Sequence, residues 1–338
     1  MRWDAILTAS DVVSIFNPGG AHRACTSHRF PYTFTGRETL ISMRPVSCEI
    51  DGSNDASFIL QSPMSDGPLV RCRKCGLFYI SPRINDYAFR DFVHEDRDTR
   101  NETLVAAAEI AFPDASVEVN DVRRRTFQQR LQRILVWRRS GSLLDVGCER
   151  GFFLEAARRH FEVYGVETNS NTAEQARRVG ADVFNGTLRE ANYPDAAFDV
   201  VTAFHVIEHV DSPRVQLQEM FRILKPGGLL VVETPNIDNM WFRVFRSRWR
   251  QFIHDHYFFF DPRTMALLLK SVGFTPLEVS TIGKQANLHF LCARMGRYWR
   301  SFLPLAEWVR RRRINEVYFN VSPGDILIAF ARKPGAEV

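Results

Sequence analysis

A glycine-containing turn and a later carboxylate carry the first chemical signal in the sequence. The stretch Asp145–Gly151 directly follows a short apolar run. Glycine at 147 and at 151 lets the backbone bend sharply and approach a ligand, because no side chain stands in the way. Glu167, about twenty residues further on, closes the next apolar run and can accept hydrogen bonds from both ribose hydroxyls of a nucleoside. The pair predicts a nucleoside-containing ligand without choosing which one.

The spacing of the glycines argues against a nicotinamide cofactor. The dinucleotide fingerprint is G-x-G-x-x-G. When it is aligned at Gly147, Glu149 and Phe152 occupy its second and third glycine positions. The acidic residue two positions before the turn, Asp145, is likewise not part of that fingerprint.

Three histidines are candidate general bases for an acceptor hydroxyl. His205 and His209 lie just beyond the apolar run Phe198–Phe204, and His256 follows Asp255. A positioned base contributes roughly 10²–10⁴-fold to such a reaction. We expect His205 to face the mouth of the pocket, because it follows the run directly. A structural role, with the ring hydrogen-bonded in the wall of the site, is the alternative for each of the three.

Four residues near the N-terminus have the spacing of metal ligands. Cys72 and Cys75 form a C-x-x-C, and Cys48 and Asp51 stand where a second such pair is expected. Structural zinc takes four ligands in a tetrahedron, usually from two such pairs. The segment therefore either binds zinc or is a ribbon that has lost its metal. The cysteines of the chain are too few and too unevenly spread for a disulfide framework.

Alternating strands and helices position the turn, the carboxylate and the histidines. Caps at Ser212 and Asp261 begin two of the helices. The alternation predicts an α/β, Rossmann-like fold: a seven-stranded, mostly parallel sheet with helices on both faces. Ligands bind such sheets at the carboxyl ends of the strands. The predicted strands are Leu143–Val146, Val163–Glu167, Asp182–Phe184, Phe198–Phe204, Leu229–Thr234, Pro276–Ile282 and Asp325–Ala331.

Smaller units precede this domain. Residues 1–45 show no sustained period and are expected to lie outside the folded units, and residues 46–85 form the ribbon-like segment. Residues 86–140 carry the signals of a helical linker or lid. The α/β domain itself covers residues 141–333.

A helical insertion at residues 286–322 interrupts that domain. It contains tryptophans and the run Arg310–Arg313. An amphipathic basic stretch either covers the pocket as a lid or lies on an anionic membrane, where a lipid-linked acceptor would be expected. No apolar run is long enough to span a bilayer and no secretory signal is evident, so the sequence predicts a cytoplasmic protein.

Several motifs in order resemble the class I S-adenosylmethionine-dependent methyltransferases. Leu143–Leu154 (LLDVGCERGFFL) is similar to the glycine loop of that family, and Val163–Asn169 (VYGVETN) to its ribose-binding strand. Phe198–Pro213, Leu224–Asn236 and Asp255–Phe274 resemble later segments of its small-molecule branch. Residues 46–84 resemble the zinc-binding ribbon that precedes some bacterial methyltransferases, including certain sugar C-methyltransferases, with one cysteine replaced.

The resemblance implies S-adenosylmethionine as the cofactor. It places three residues around the methionine part, one on the ribose and two near the adenine or the flank of the cofactor. Glu149 replaces the middle glycine of the family, and a carboxylate there is unfavourable unless it turns to solvent. The implied contacts are Asp145, Gly147 and Gly151, then Glu167, and finally Thr187 and Phe204.

The resemblance also implies methyl transfer to a small-molecule, saccharide or lipid-linked acceptor. O-methylation is favoured, and transfer to carbon or nitrogen stays open. Thr202–His205 stands where DNA amine methylases carry Pro-Pro-Tyr or Pro-Pro-Phe, and no Pro-Cys pair is present for cytosine-ring methylation. A net charge of +5 permits a nucleic-acid partner without demanding one. The alternatives are an RNA methyltransferase with a zinc knuckle and a catalytically inactive binding module.

Overall fold

The computed structural model describes residues 29–34, 37–84, 113–295, 302–312 and 317–335. Within them the strands are β1 (Arg29–Phe34), β2 (Arg37–Arg44), β3 (Ala56–Leu60), β4 (Leu69–Cys72), β5 (Phe78–Ile80), β6 (Arg83–Ile84), β7 (Gly141–Val146), β8 (Phe161–Glu167), β9 (Asp182–Asn185), β10 (Phe198–Phe204), β11 (Leu224–Pro235), β12 (Phe258–Phe259), β13 (Thr275–Thr281), β14 (Lys284–Asn287), β15 (Tyr318–Val321) and β16 (Ile326–Arg332).

The helices in the same residues are α1 (Pro113–Trp137), α2 (Phe152–Ala157), α3 (Ser170–Arg177), α4 (Pro213–Ile223), α5 (Met240–Phe245), α6 (Pro262–Val272), α7 (Leu288–Met295) and α8 (Phe302–Arg311). A 3₁₀ turn at Arg246–Arg248 follows α5.

A seven-stranded sheet forms the centre of the α/β domain. Its strand order is β13-β16-β11-β10-β7-β8-β9. The strands from β9 to β11 are parallel, whereas β16 runs antiparallel to both β11 and β13. The predicted Rossmann-like, mostly parallel seven-stranded sheet is confirmed.

Both faces of this sheet are buried. Leu143 and Val200 pack on one face, and their chain neighbours Leu144 and Val201 pack on the other. Because successive residues of a strand point to opposite faces, both must be apolar when helices cover both sides. This is why the strands appear in the sequence as continuous apolar runs.

Local signals set the helix boundaries that were predicted. The side chain of Ser212 accepts a hydrogen bond from the backbone N–H of Val215 at the start of α4. Asp261 and Thr264 form a capping box at the start of α6, and Gly273 ends it with φ of 106°. These caps form hydrogen bonds with the backbone groups at the helix ends that have no partner within the helix.

The largest difference from the predicted strand boundaries is at β11, and the others differ by at most two residues. Strand β11 begins at Leu224, whereas the turn residues before Leu229 were expected to lie outside it. Phe198 pairs with Leu224, and the register shifts before Val200 pairs with Leu229. The Lys-Pro-Gly-Gly segment is therefore an irregularity inside the ladder.

Two strands occur where the sequence shows no sustained period. β1 and β2 pair antiparallel from Arg29 opposite Ser42 to Phe34 opposite Arg37. β2 also pairs with β6. Outside the described ranges lie residues 1–28 and 35–36 of the predicted N-terminal segment, residue 85 of the predicted ribbon, 86–112 of the predicted linker, and 296–301 and 313–316 of the predicted insertion.

The ribbon-like segment is joined to the α/β domain by a shared sheet. Strands β3, β4 and β5 are antiparallel, and β12 extends them in the order β12-β5-β4-β3. Tyr79 of β5 pairs with Phe258 of β12, only two positions beyond His256. The ribbon therefore lies beside one of the candidate histidines.

The insertion at 286–322 has a two-stranded stem. β14 and β15 pair antiparallel from Lys284 opposite Val321 to Asn287 opposite Tyr318. The helices α7 and α8 lie between these strands in the chain. In the described part of the molecule, no helix combines the length and the apolar character needed to cross a membrane.

Candidate functional site

The turn after β7 has the geometry that its glycines predict. Gly147 has φ of +71° and Gly151 has φ of +79°, values in the left-handed region that glycine adopts without strain. A Cβ on Gly147 would lie 2.6 Å from Cγ2 of Val206, and one on Gly151 would lie 3.0 Å from Cα of Ala176. The first glycine lets Val206 pack directly against the turn, and the second lets α3 pack against the start of α2.

Glu167 closes the opposite side of this turn from the end of β8. Its Oε2 accepts the backbone N–H of Glu149 at 2.9 Å. Its Oε1 accepts the backbone N–H of Asn169 at 2.9 Å. Two main-chain donors therefore hold the carboxylate beside the glycine turn.

Glu149, the departure from the family pattern, points away from the turn. Its side chain is 48% exposed and pairs with Arg123 of α1 at 2.5 Å. Its backbone lies in the left-handed region with φ of 48°. The carboxylate has turned to solvent, which is the condition under which it does not oppose an anionic part of the cofactor.

Asp145 lies inside the sheet. It is 2% exposed, and its Oδ1 accepts a hydrogen bond from Oγ1 of Thr202 on the neighbouring strand at 2.7 Å. Burial raises the pKa of Asp145 to about 7, although the bond from Thr202 opposes the shift. This carboxyl braces β7 against β10 directly below the turn.

The two remaining implied contacts lie on different sides of the sheet end. The N–H and the hydroxyl of Thr187 each donate to Oε2 of Glu190 at 2.8 Å, in the turn that follows β9. The ring of Phe204 packs against the rings of Phe153 and Phe127, with centroid distances of 4.8 Å and 5.5 Å. Thr187 shapes the edge near Glu167, whereas Phe204 anchors α1 and α2 over the strand ends.

His205 is held between two buried carboxylates. Its Nδ1 lies 3.0 Å from Oε1 of Glu208, and its Nε2 lies 3.3 Å from Oε1 of Glu233. Burial disfavours the charged ring, but the bonds to Glu208 and Glu233 outweigh it and raise the pKa of His205 to about 9. At neutral pH this histidine is a cation with both nitrogens engaged, so it does not accept a proton in this arrangement.

A buried arginine completes the charge network. Arg130 of α1 is fully buried and contacts the carboxylate of Glu233 at 2.7 and 3.2 Å. It also donates to the carbonyl of Gly283 at 2.5 Å. Oε2 of Glu208 accepts the hydroxyl of Thr234 at 3.0 Å. Positive and negative groups therefore alternate from Arg130 to Glu208, and the full set of four is Arg130, Glu233, His205 and Glu208.

The pKa values of the two carboxyls follow from this alternation. Burial alone would raise the pKa of Glu208 and of Glu233. The contacts with His205, and for Glu233 also with Arg130, lower both values to about 2. Sequence reasoning missed Arg130, which lies in no recognisable motif, and did not single out Glu233 within the segment Leu224–Asn236. The two residues are 103 positions apart.

His209 and His256 form a second contact pair beside Glu208. Their ring centroids are 4.5 Å apart and the planes are nearly perpendicular at 76°. Nδ1 of His209 lies 3.0 Å from the carbonyl oxygen of Asp255. His256 is 5% exposed, and among the described residues its Nδ1 has no hydrogen-bond partner. Burial, together with the charge of His209, lowers the pKa of His256 to about 4, so its ring is neutral.

The four predicted metal ligands lie together in the ribbon. One ligand atom from each of Cys48, Asp51, Cys72 and Cys75 falls within 4.8 Å of the others. The Sγ atoms of Cys48 and Cys75 are 3.3 Å apart, as are Sγ of Cys72 and Oδ2 of Asp51. Burial raises the pKa of the Cys75 thiol to about 11. Four converging donors with three thiols are a set that suits zinc.

Comparisons with known proteins agree with this geometry. Residues 120–279 match the family model described as a methyltransferase domain. A Mycolicibacterium smegmatis protein described as a probable S-adenosylmethionine-dependent methyltransferase is 38% identical over 100 residues, which is 28% of this chain and 38% of that protein. The ubiquinone biosynthesis O-methyltransferase of Psychrobacter arcticus is 30% identical over 156 residues, 40% of this chain and 60% of that protein.

A solved structure also overlaps the chain. It is a SAM-dependent methyltransferase from Thermotoga maritima, with 20% identity and a TM-score of 0.45, covering 67% of this chain and 99% of that one. For the two curated relatives, the matched stretches span 38% and 60% of their own lengths, so each has parts that this comparison does not reach.

The sheet order, the glycine turn after β7 and the carboxylate after β8 define an α/β domain of the kind that binds ligands at the carboxyl ends of its strands. The match over residues 120–279 identifies this domain as a methyltransferase domain. The chain therefore contains a methyltransferase domain with the fold of the class I S-adenosylmethionine-dependent methyltransferases.

Proposed function

We propose that this protein transfers a methyl group from S-adenosylmethionine to an oxygen of a small-molecule or glycan-type acceptor. The observation that carries the proposal is the left-handed glycine turn at Gly147 beside the carboxylate of Glu167. The alternating charges from Arg130 to Glu208 lie beyond the same strand ends and would border the acceptor.

The cofactor would supply an electrophilic methyl group on a sulfonium. The residues fit it in three respects. Gly147 bends the backbone where Val206 leaves no room for a Cβ, Glu167 presents a carboxylate for ribose hydroxyls, and Glu149 is drawn outward by Arg123. Asp145 supports the turn from below through its bond with Thr202.

The residues of the chain would act mainly by positioning. Holding two reactants in line supplies about 7–11 kcal/mol of the barrier, so a strong catalytic base is not required. His205 is already protonated at neutral pH through its contacts with Glu208 and Glu233. Its role in the proposal is to fix those two carboxylates at the rim of the site. The lowered pKa of His256 keeps its ring neutral and makes it a weak base.

Oxygen is the favoured acceptor atom. The Psychrobacter arcticus relative and a Cereibacter sphaeroides relative that is 30% identical over 150 residues are both named as ubiquinone biosynthesis O-methyltransferases. The test is methyl transfer from labelled cofactor to phenolic, saccharide and RNA acceptors in parallel, with product analysis. Transfer to RNA alone would replace the proposal with the RNA methyltransferase alternative.

Cofactor binding is tested by calorimetry on a matched pair of variants. Gly147→Ala places a Cβ 2.6 Å from Val206, whereas Gly227→Ala has a similar φ of +75° with no atom within 4 Å. Both substitutions carry the left-handed backbone cost of about 1–2 kcal/mol. We expect only Gly147→Ala to weaken S-adenosylmethionine binding, by roughly tenfold or more, corresponding to 1.4 kcal/mol. Equal affinities in the two variants, or no binding by the native protein, would remove the assignment.

The ribbon is proposed to hold a structural zinc ion. The side chain of Arg214 donates to the carbonyl oxygens of Glu49 at 2.7 Å and Ile50 at 2.5 Å. The loop that carries Cys48 and Asp51 is thereby joined to the start of α4. Zinc content should fall in Cys72→Ser and stay unchanged in Cys292→Ser, because Cys292 is also buried and unbridged but lies outside the cluster.

Peripheral membrane contact through residues 286–322 is the remaining part of the proposal. Leu305 and Trp308 of α8 are 43% and 51% exposed, close in the chain to the exposed Arg311 and Arg312. Basic amphipathic helices of this kind bind anionic lipid. The variant Leu305→Ala/Trp308→Ala should sediment less with anionic vesicles at low salt, while Val136→Ala, an exposed apolar change on α1, should not. No sedimentation by the native protein would remove this part.

A further inference from the structure

We infer that Glu208, His209 and His256 form a second metal site at the acceptor end, taking a first-row divalent cation such as Zn²⁺. One carboxylate oxygen and one nitrogen from each ring lie within 4.8 Å of one another. The three residues come from two segments, the loop after β10 and the loop before β12. This site is separate from the ribbon cluster and shares no residue with it.

The donor set is one that transition metals use. Two neutral imidazoles and one carboxylate hold zinc in catalytic sites and iron in the facial arrangement of two histidines and a carboxylate. Magnesium and calcium prefer oxygen donors, so two imidazoles argue against them. Three protein ligands leave at least one coordination position open.

Two of the ligands are already oriented by neighbours. One carboxylate oxygen of Glu208 accepts a hydrogen bond from Nδ1 of His205, and the other accepts one from the hydroxyl of Thr234. A carboxylate oxygen has two lone pairs, so each can accept a hydrogen bond and still bind a metal. Nδ1 of His209 faces the carbonyl oxygen of Asp255 at 3.0 Å, which fixes the proton on Nδ1 and leaves Nε2 as the donor atom. Such outer partners accompany ligating residues in metal sites.

His256 supplies the independent observation. Its side chain is 95% buried, and Nδ1 has no hydrogen-bond partner among the described residues. An unpartnered polar atom in the interior costs free energy comparable to a lost hydrogen bond, about 1–3 kcal/mol. Its ring packs 4.5 Å from that of His209. A bound cation would satisfy this nitrogen.

The site deepens the proposed function and rests on it in one respect. The open coordination position would take the acceptor hydroxyl and lower its pKa, as a metal does for bound water. The hydroxyl proton would pass to solvent water as the oxygen takes the methyl group and the demethylated cofactor leaves. A histidine that binds a metal cannot also remove the proton. In this arrangement, His209 and His256 therefore act as metal ligands and not as the general bases that the sequence predicts.

The experiment measures metal directly, with no cofactor or acceptor present. Full-length protein is stripped with a chelator, reloaded with Zn²⁺, and its bound metal counted by elemental analysis. The variant His209→Asn/His256→Gln is compared with the native chain and with Cys72→Ser. His254→Asn is the matched control, because His254 lies two positions before His256 and contacts Asp66 instead.

We expect His209→Asn/His256→Gln to bind about one equivalent of zinc less than the native chain. Cys72→Ser should lose only the ribbon metal, and His254→Asn should lose none. Loading with Co²⁺ separates the two sites further, because thiolate ligands give intense ultraviolet charge-transfer bands that the histidine site lacks. Glu208→Gln should weaken zinc binding at the second site by roughly tenfold or more, as loss of an anionic ligand does.

Unchanged zinc stoichiometry in the folded double-histidine variant would overturn the site, and circular dichroism verifies folding. If turnover alone fell in that variant, His256 would be a base and not a ligand. Failure of cofactor binding in the native chain would remove the methyltransferase proposal and leave the metal count intact, so the two ideas fail separately.

Discussion

The two ends of the site are built in different ways. The proposed cofactor end (Gly147, Gly151 and Glu167, with Asp145 beneath) uses residues from two neighbouring segments, and Glu167 is held by backbone N–H groups. The proposed acceptor end consists of Arg130, His205, Glu208 and Glu233, with His209 and His256 beside them. Their side chains come from α1, the loop after β10, β11 and the loop before β12.

This difference has an energetic consequence. Backbone donors are present whatever the side chains are, so the cofactor end depends mainly on turn geometry. The acceptor end consists of buried opposite charges, and removing one partner leaves the other uncompensated in a low-dielectric interior. We therefore expect substitutions at the acceptor end to affect folding and those at the cofactor end to affect binding.

The largest expected effect is at Arg130. Arg130→Ala leaves buried Glu233 without its arginine and should lower the free energy of unfolding by about 3–5 kcal/mol. Arg133→Ala, one turn along α1, removes a pair with Glu278 in which both side chains are 35% exposed. That control should lose less than about 1 kcal/mol. Urea unfolding measures both, and similar losses would contradict the distinction between the two ends.

At the cofactor end, Glu167→Gln should weaken cofactor binding with little effect on folding. Replacing a charged acceptor costs about 1.5–3 kcal/mol, or roughly 10–100-fold in affinity. Glu162→Gln is the control, because Glu162 lies near the opposite end of β8 and contacts the hydroxyl of Tyr164. Calorimetry with S-adenosylmethionine should separate the two variants, and equal affinities would exclude the ribose role.

Asp145 should make stability depend on pH. Its pKa is about 7 in the folded protein, against about 3.9 in an unfolded chain. Between these values the folded state binds more protons, so its stability falls as pH rises from about 4 to about 7. The slope is at most about 1.4 kcal/mol per pH unit. Asp145→Asn should flatten this dependence in unfolding experiments at pH 5 and pH 7, and an unaltered slope would show that the carboxyl titrates normally.

The smallest effect is expected at Arg123. Arg123→Ala frees Glu149 from an exposed ion pair worth about 0.2–1 kcal/mol. Cofactor affinity should fall by less than about fivefold, corresponding to 1 kcal/mol. Adding Glu149→Gly should restore it, because no carboxylate then remains to swing inward. A loss that persists in the double variant would mean that Arg123 contacts the cofactor itself.

Much of the fold was predictable because its causes are local. Ser212, Asp261 and Gly273 set helix ends through contacts within a few residues. The parallel strands were evident from apolar runs that must face two covered sides. The start of β11 could not be predicted in this way, because a register shift opposite Phe198 makes Leu224 part of the strand.

The candidate site divides in the same way. The glycine turn and Glu167 were predicted in the roles that their geometry allows. His205 was predicted as a base, yet its contacts with Glu208 and Glu233 make it a cation. Thr187 and Phe204, implied as cofactor contacts, make turn and packing contacts within the protein. Arg130 was not singled out, since one arginine in an arginine-rich helix has no distinguishing pattern.

The sequence by itself determined the sheet, the turn that bends at Gly147 and the position of Glu167, because backbone conformation and the period of apolar residues act over short distances. Tertiary structure alone decided which charges meet, since the pairing of Arg130 with Glu233 depends on how α1 crosses the sheet. Burial in that crossing also sets the protonation of His205 and His256, because the cost of a buried charge depends on the groups that the fold brings beside it.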